Sequence, residues 1–276
     1  MNAISVFLIS LILHYLSFIF FVTLIFTPFF MRIAIITDIH EDFPMLEKAY
    51  QTLKTNGYDL MVCLGDITGY ATEYYSHNPD ANACIDLLRQ KADIVLAGNH
   101  DLFTSQRLPS YHLDKNIPQN WYELTLQERY KISENTIWLY EEEIFPVLTP
   151  ENEVFLNSLD EWCVIDTGNR KIIFSHFLQP DLTGVGRWFP YRVVELRPHF
   201  RFMEENNSIL AFVGHCHPEG FTVVSKLFWS VPSFSPIKIK QKSKIVLCPP
   251  IVSTKNPSSC LIFDTNTNEI IPYLLD

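Results

Sequence analysis

Two features of the sequence predict an α/β fold with a parallel sheet. Short apolar runs alternate with amphipathic helical stretches from Arg32 to Ala97, and each of these runs ends in small or polar residues at what would be one edge of a sheet. Arg32 to Thr37 reads as the first strand. Pro44 to Asn56 follows as a helix with Leu46, Ala49, Tyr50 and Leu53 on one face, stopped by Gly57. Leu60 to Leu64 is a second strand, Asp80 to Gln90 a second helix turning Ala83, Ile85, Leu87 and Leu88 inward, and Ile94 to Ala97 a third strand. The stretch from Leu102 to Asp160 is rich in Trp, Tyr and Glu and is expected to be mainly helical. It closes in a helix that Thr149 caps and Pro150 begins. Beyond it the pattern shifts to strands at Ile172 to Ser175, Ile209 to Val213, Gly220 to Val224, Ile245 to Leu247 and Ser259 to Phe263, separated by Pro, Asn, Gly or charged turns.

Composition narrows the function. The chain has 276 residues, with 31 acidic side chains against 21 Lys and Arg, a formal net charge of -10, which argues against a duplex nucleic acid partner. Apolar residues make up 47% of the chain, enough for a sizeable core and against disorder. The six cysteines are scattered without C-x-x-C spacing, as expected in a reducing compartment. Residues 1–30 stand apart. They hold no Asp, Glu, Lys or Arg and 7 of the 21 phenylalanines, the composition of a membrane-spanning helix. No basic n-region or small-residue cleavage site marks a signal peptide. Because Met31 runs directly into the first strand with no polar linker, the preferred expectation is a cytoplasmic protein starting at Met31, with residues 31–276 as its domain. An N-terminal membrane anchor is the alternative.

The functional signal lies where strands end. The first strand runs into Asp38-Ile39-His40, the second into Gly65-Asp66, the third into Gly98-Asn99-His100-Asp101, the Ile172 strand into His176, and the Ile209 strand into Gly214-His215-Cys216-His217. The carboxyl edge of a parallel sheet is where open α/β folds place their sites. Residues i and i+2 can point the same way, so Asp38 with His40, and His215 with His217, can reach common ions. Gly65 allows close backbone approach before Asp66, whose two oxygens suit a bridge between metals. Alone, Asp38-Ile39-His40 could arise by chance and Gly65-Asp66 as a turn, but packing gives no reason for Gly98 to Asp101 or Gly214 to His217 to follow apolar strands.

In this order the blocks resemble those of the calcineurin-like metallophosphoesterase family, over essentially Met31 to the C-terminus. The stretch from Cys63 to Tyr70, followed by Asn78-Pro79-Asp80-Ala81-Asn82 and Ala97 to Asp101, is similar to its small single-domain bacterial branch. The resemblance implies a four-layer αββα sandwich of two mixed sheets. It implies that Asp38, His40 and His217 hold one metal, that Asn99, His176 and His215 hold the other, and that Asp66 bridges them. It also places His100 near the departing group, with Asp101 orienting or polarising it. Phe177 after His176, where glycine is common, and Cys216, where threonine is more usual, depart from the pattern without removing a ligand.

Two divalent ions sharing a carboxylate would activate a water as hydroxide and clamp a phosphoryl group, so hydrolysis of a small phosphodiester or phosphomonoester is expected. Mixed His, carboxylate and amide donors suit Mn, Fe, Zn, Co or Ni, with Mn or Fe favoured. A membrane-anchored pyrophosphatase acting on a lipid-linked or nucleotide diphosphate, and a noncatalytic phosphate-binding scaffold, are the alternatives. Substrate contacts are expected from Arg187, Trp188, Tyr191 and Arg192 in the loop after His176, with Tyr74, Tyr75 and His77 as a further rim. Trp121, Tyr122, Trp138 and Tyr140 are expected mainly in the core. His14, His77, His112 and His199 lack ligand spacing, Glu141-Glu142-Glu143 reads as a hydrated face, and Lys238 to Lys244 as a solvated hairpin.

Overall fold

The computed structural model describes residues 30–111, 117–240, 242–252 and 257–275. Residues 1–29, which make up nearly all of the apolar leader, and His112 lie outside the described residues. Among the described residues no helix is long and apolar enough to cross a membrane.

Two mixed sheets stack face to face. The first has six strands in the order β3-β2-β1-β10-β11-β8 and the second five in the order β4-β5-β6-β9-β7. In the first, β1 (Arg32–Ile36), β2 (Leu60–Cys63) and β3 (Ile94–Val95) run parallel, while β10 (Ser259–Asp264) is antiparallel to β1. β11 (Glu269–Leu274) and β8 (Ile237–Lys238) complete it. In the second, β5 (Lys171–Ser175), β6 (Ser208–Val213) and β9 (Lys244–Leu247) are parallel, flanked by antiparallel β4 (Trp162–Asp166) and β7 (Thr222–Ser225).

Strand periodicity sets the layers. Ile33 and Ile35 of β1 face the second sheet, where they join Val62, Phe263, Phe174 and Phe212 in a buried inter-sheet core. Alternate residues Ala34 and Ile36 face the other way, against Leu46, Ala49 and Leu53 of α1 (Phe43–Asn56) and Ile85 and Leu88 of α2 (Ala81–Lys91). The outer face of the second sheet, through Ile173, Ala211 and Val213, packs on Phe200 and Met203 of α6 (Arg197–Glu205). Helices, two sheets and a helix form the four layers. Asp42 and Asp80 cap α1 and α2, accepting from the backbone N–H groups of Met45 and Ala83.

The middle of the chain is only partly helical. It contains α3 (Asn99–Thr104), a 3-10 turn at Trp121–Glu123, α4 (Leu126–Ser133) and α5 (Pro150–Asn157), which Thr149 caps. Between α4 and α5 the helical expectation fails. Glu134, Asn135 and Tyr140 take left-handed backbone conformations that no helix can pass through, and single bridges from Ile137 to Gly186 and from Tyr70 to Ile144 tie this segment down. All six cysteines are free thiols.

His199 on α6 is fully buried, its Nδ1 accepting from the Gln179 N–H at 3.0 Å. Burial drives it down to about 3 from an ordinary value of 6.5. Below pH 6.5 the unfolded chain takes up a proton that the folded chain refuses, so stability falls as the solution is acidified. His199→Asn, which keeps an acceptor for Gln179, should weaken this dependence by about 1.4 kcal/mol per pH unit in urea unfolding between roughly pH 6 and pH 4. Equal slopes for the two proteins would show that His199 does not carry it.

Candidate metal centre and its cavity

Three of the five polar blocks leave their strands on strained backbone. Asp38 (φ 54), His40 (φ 47), Asp66 (φ 53), His215 (φ 63) and His217 (φ 44) all lie in the left-handed region. A reversal of the chain at these points turns the side chains off the sheet edge towards one another, at a cost of about 1–2 kcal/mol per residue. Backbone hydrogen bonds fix the crossing. The Asp66 carbonyl accepts from the N–H groups of Ile39 (2.7 Å) and His40 (3.0 Å), and the Gly214 N–H donates to the His176 carbonyl (2.8 Å). Gly65 and Gly98 permit a close approach between the second and third blocks. A β-carbon on Gly98 would lie 2.1 Å from Asp66 Oδ1, and one on Gly65 would lie 2.3 Å from the Gly98 nitrogen.

Three groups of side chains converge there with their ligand atoms within 4.8 Å of one another: Asp38, His40 and His217; His40, Asp66 and His100; and Asp66, His176 and His215. Asp66 and His40 each belong to two groups. Asn99, also predicted, joins them through Oδ1, 2.8 Å from His215 Nδ1 and 3.1 Å from His176 Nε2.

The protonation pattern fits metal ions. His40 Nδ1 faces the Gly69 carbonyl at 3.0 Å and His176 Nδ1 faces the Leu64 carbonyl at 3.1 Å. A carbonyl only accepts, so both Nδ1 atoms carry a proton and both Nε2 atoms face the centre. His176 Nε2 meets Asp66 Oδ2 at 3.0 Å and Asn99 Oδ1 at 3.1 Å, two acceptors that call for a proton on Nε2 or a metal ion. His40 Nε2 likewise approaches His217 Nε2 at 3.2 Å, and His217 Nε2 lies 3.1 Å from Asp38 Oδ1.

Electrostatics show the same demand for a cation. Burial opposes ionisation of Asp38, but His217 outweighs it and holds the carboxyl at about 2. Asp66 is also lowered, its burial outweighed by His176 and His100. Burial would lower His176, yet Asp66 and Asp38 raise it to about 9. Burial takes His40 and His215 down to about 3, leaving neutral imidazoles with lone pairs to give. His100 is raised to about 9, because Glu143 and Asp66 outweigh its burial.

Asp101 is tied into the loops rather than to the His100 ring. It accepts from the Ile67 and Thr68 N–H groups (2.9 and 3.0 Å), the Thr68 hydroxyl (3.1 Å) and the Gly98 N–H (3.0 Å). The ring of His100 meets Glu143 instead. That contact was not legible in an acidic run expected to be a hydrated face.

A cavity of about 560 Å³ opens over the centre. His100, His215 and His217 form its floor, and Tyr75, Trp138 and Phe189 are among its aromatic walls. Of the four expected substrate contacts, Arg187 lines it, with its guanidinium 4.7 Å above the Trp138 ring. The other three lie elsewhere. Trp188 packs on Phe177, Tyr191 is 86% exposed, and Arg192 pairs with Glu195. Tyr74 and Tyr75 line the cavity as a rim, whereas His77 turns away and its Nε2 reaches the His40 carbonyl at 2.9 Å. Trp121 is core, but Trp138 and Tyr140, expected there too, line the cavity. Tyr140 Oη accepts from Asn99 Nδ2 at 2.9 Å, which leaves the amide oxygen facing the two histidines. The bulk of Phe177 lies against the His215 ring, with centroids 4.4 Å apart.

Known proteins resemble this chain in sequence and fold. A family model described as calcineurin-like phosphoesterase matches residues 31–219. An uncharacterized protein of Methanocaldococcus jannaschii is 28% identical over 188 residues, which is 67% of this chain and 62% of that protein. A metallophosphoesterase from Sphaerobacter thermophilus superposes with a TM-score of 0.60 at 22% identity, covering 89% of this chain and 88% of its own. A hypothetical protein from Pyrococcus horikoshii gives 0.53 at 16% identity with the same two coverages, so both structures share the fold. With its polar strand ends gathered around one shared carboxylate beneath a cavity, this chain belongs to the calcineurin-like phosphoesterase family.

Proposed function

We propose that the protein hydrolyses a small phosphodiester or phosphomonoester in the cytoplasm, as a relative of the small single-domain bacterial-type enzymes. The similarity of the stretch from Cys63 to Tyr70 supports that kinship. One observation carries the functional reading: Asp66 belongs to two potential metal groups on the floor of a 560 Å³ cavity. In this reading Asp38, His40 and His217 would hold one ion, Asn99, His176 and His215 the second, and Asp66 would serve both. Mixed nitrogen and oxygen donors favour manganese or iron. A divalent pair bound there would supply positive charge against the phosphoryl oxygens and lower the pKa of a water towards neutral.

The chain's own groups do the rest. His100 Nε2 stands 3.9 Å from Asp66 Oδ2 and is placed to give a proton to the departing oxygen. Asp101 braces the loops that carry Asp66 and His100. Arg187 is the cavity's guanidinium, suited to an anionic group beyond the reacting phosphate, and Tyr75 and Trp138 offer flat faces to an organic substituent.

Purified protein should contain close to two equivalents of transition metal by elemental analysis. Asp66→Asn should lower both metal content and turnover of an activated aryl phosphodiester, turnover by more than about 10²-fold. Wild-type turnover in metal-replete buffer would reject the shared-carboxylate assignment. His100→Asn should slow esters with poor leaving groups by about 10²-fold or more while sparing 4-nitrophenyl esters, because a good leaving group needs little protonation. Arg187→Ala should raise KM by about tenfold for substrates with a second anionic group and leave kcat for simple diesters unchanged. A uniform loss across both substrate types would assign Arg187 to the cavity wall instead.

A further inference from the structure

The segment between α4 and α5 crosses the start of α3, held at both ends of the crossing. Trp138 N–H donates to the Val185 carbonyl at 3.0 Å, and Ile144 N–H donates to the Tyr70 carbonyl at 2.9 Å. Between these anchors it contacts two successive residues of α3. Tyr140 Oη takes the Asn99 amide, and the Glu143 carboxylate takes His100 Nδ1.

Glu143 is placed to hold the His100 ring. Its side chain is only 7% exposed, and a carboxylate so enclosed requires a donor or a cation. Among the described residues, His100 is its ion-pair partner. The ring has little else to hold it on that edge. The residue beneath Nδ1 is Gly69, where a β-carbon would lie 2.4 Å from that atom, so no side chain can partner the ring from there. Asp101 is occupied by backbone and hydroxyl donors. With Nδ1 held by Glu143, the opposite nitrogen is directed over the metal donors, towards Asp66.

Building on the phosphoesterase reading above, we propose that Glu143 is a positioning residue for hydrolysis, fixing His100 so that Nε2 meets the leaving oxygen. In the step it serves, a water oxygen forms a new bond to phosphorus and the P–O bond to the leaving group breaks. The bonding pair stays with the departing oxygen, which takes the proton from Nε2, and the proton released by the water restores the ring. Glu143 is the acceptor that keeps the ring from swinging away.

The test pairs kinetics with a signal that needs no turnover. In the purified full chain, Glu143→Ala should lower kcat about 10²-fold for an alkyl phosphodiester and less than about fivefold for a 4-nitrophenyl diester, with KM and metal content unchanged. Added to His100→Asn it should cause no further loss, because both changes remove one function. Glu143→Gln, whose amide oxygen still accepts, should fall between Ala and wild type. By proton NMR of the metal-free chain, the His100 Nδ1 proton should give an exchange-protected downfield resonance that both His100→Asn and Glu143→Ala abolish. Persistence of that resonance in Glu143→Ala, equal losses with both leaving groups, or additive losses with His100→Asn would each overturn the proposal. Absence of wild-type turnover on every ester and metal tried would overturn the phosphoesterase reading, while the resonance would still decide whether Glu143 holds the ring.

Discussion

The buried carboxylate of Asp66 is the constraint that the surrounding structure answers. It is 1% exposed, and an ionised group so enclosed needs strong partners on every side. His176 approaches one oxygen and the His100 N–H approaches the other at 2.9 Å. Gly98 is bare because a side chain there would strike the carboxylate. The loops after β1, β2 and β3 therefore interlock around one anion, and the second sheet is joined to the first through His176 and His215. The interdigitated apolar core already resists sliding of one sheet over the other, and the polar edge adds directional contacts to it.

Much of this was legible because the signal is local. An apolar run followed by Asp-x-His or His-x-His places its side chains through the geometry of a strand end alone, and the helices on the first sheet followed from their apolar spacing and caps. The four layers were implied by resemblance; alternation of Ile33 and Ile35 with Ala34 and Ile36 is the physical basis for them. Less visible were β11 and β8, at the end of the first sheet. β11 contains Pro272, ordinarily a mark against a strand, and it lies where β8 no longer flanks it.

The cavity walls were harder to foresee for a different reason. Nearness in sequence to His176 suggested Trp188, Tyr191 and Arg192, but the 3-10 turn at Val193–Leu196 carries the chain away to α6 and Arg192 closes on Glu195. Beside Tyr75, Arg187 and Phe189, much of the wall comes from Trp138 to Glu143, in a segment whose path depends on bridges to Tyr70 and Gly186. No periodicity encodes those bridges. The three glutamates look alike in sequence, yet only long-range tethering separates Glu143, against a histidine, from its neighbours.

The left-handed backbone at Asp38, Asp66, His215 and His217 sets stability against chemistry. Glycine or asparagine would rest more comfortably at each of these positions, so a variant without its donors could fold more firmly than the natural chain. Screening a library for heat resistance alone would therefore tend to enrich inert proteins, and any attempt to harden this scaffold should leave those corners untouched and look for gains in the helices and the outer strands.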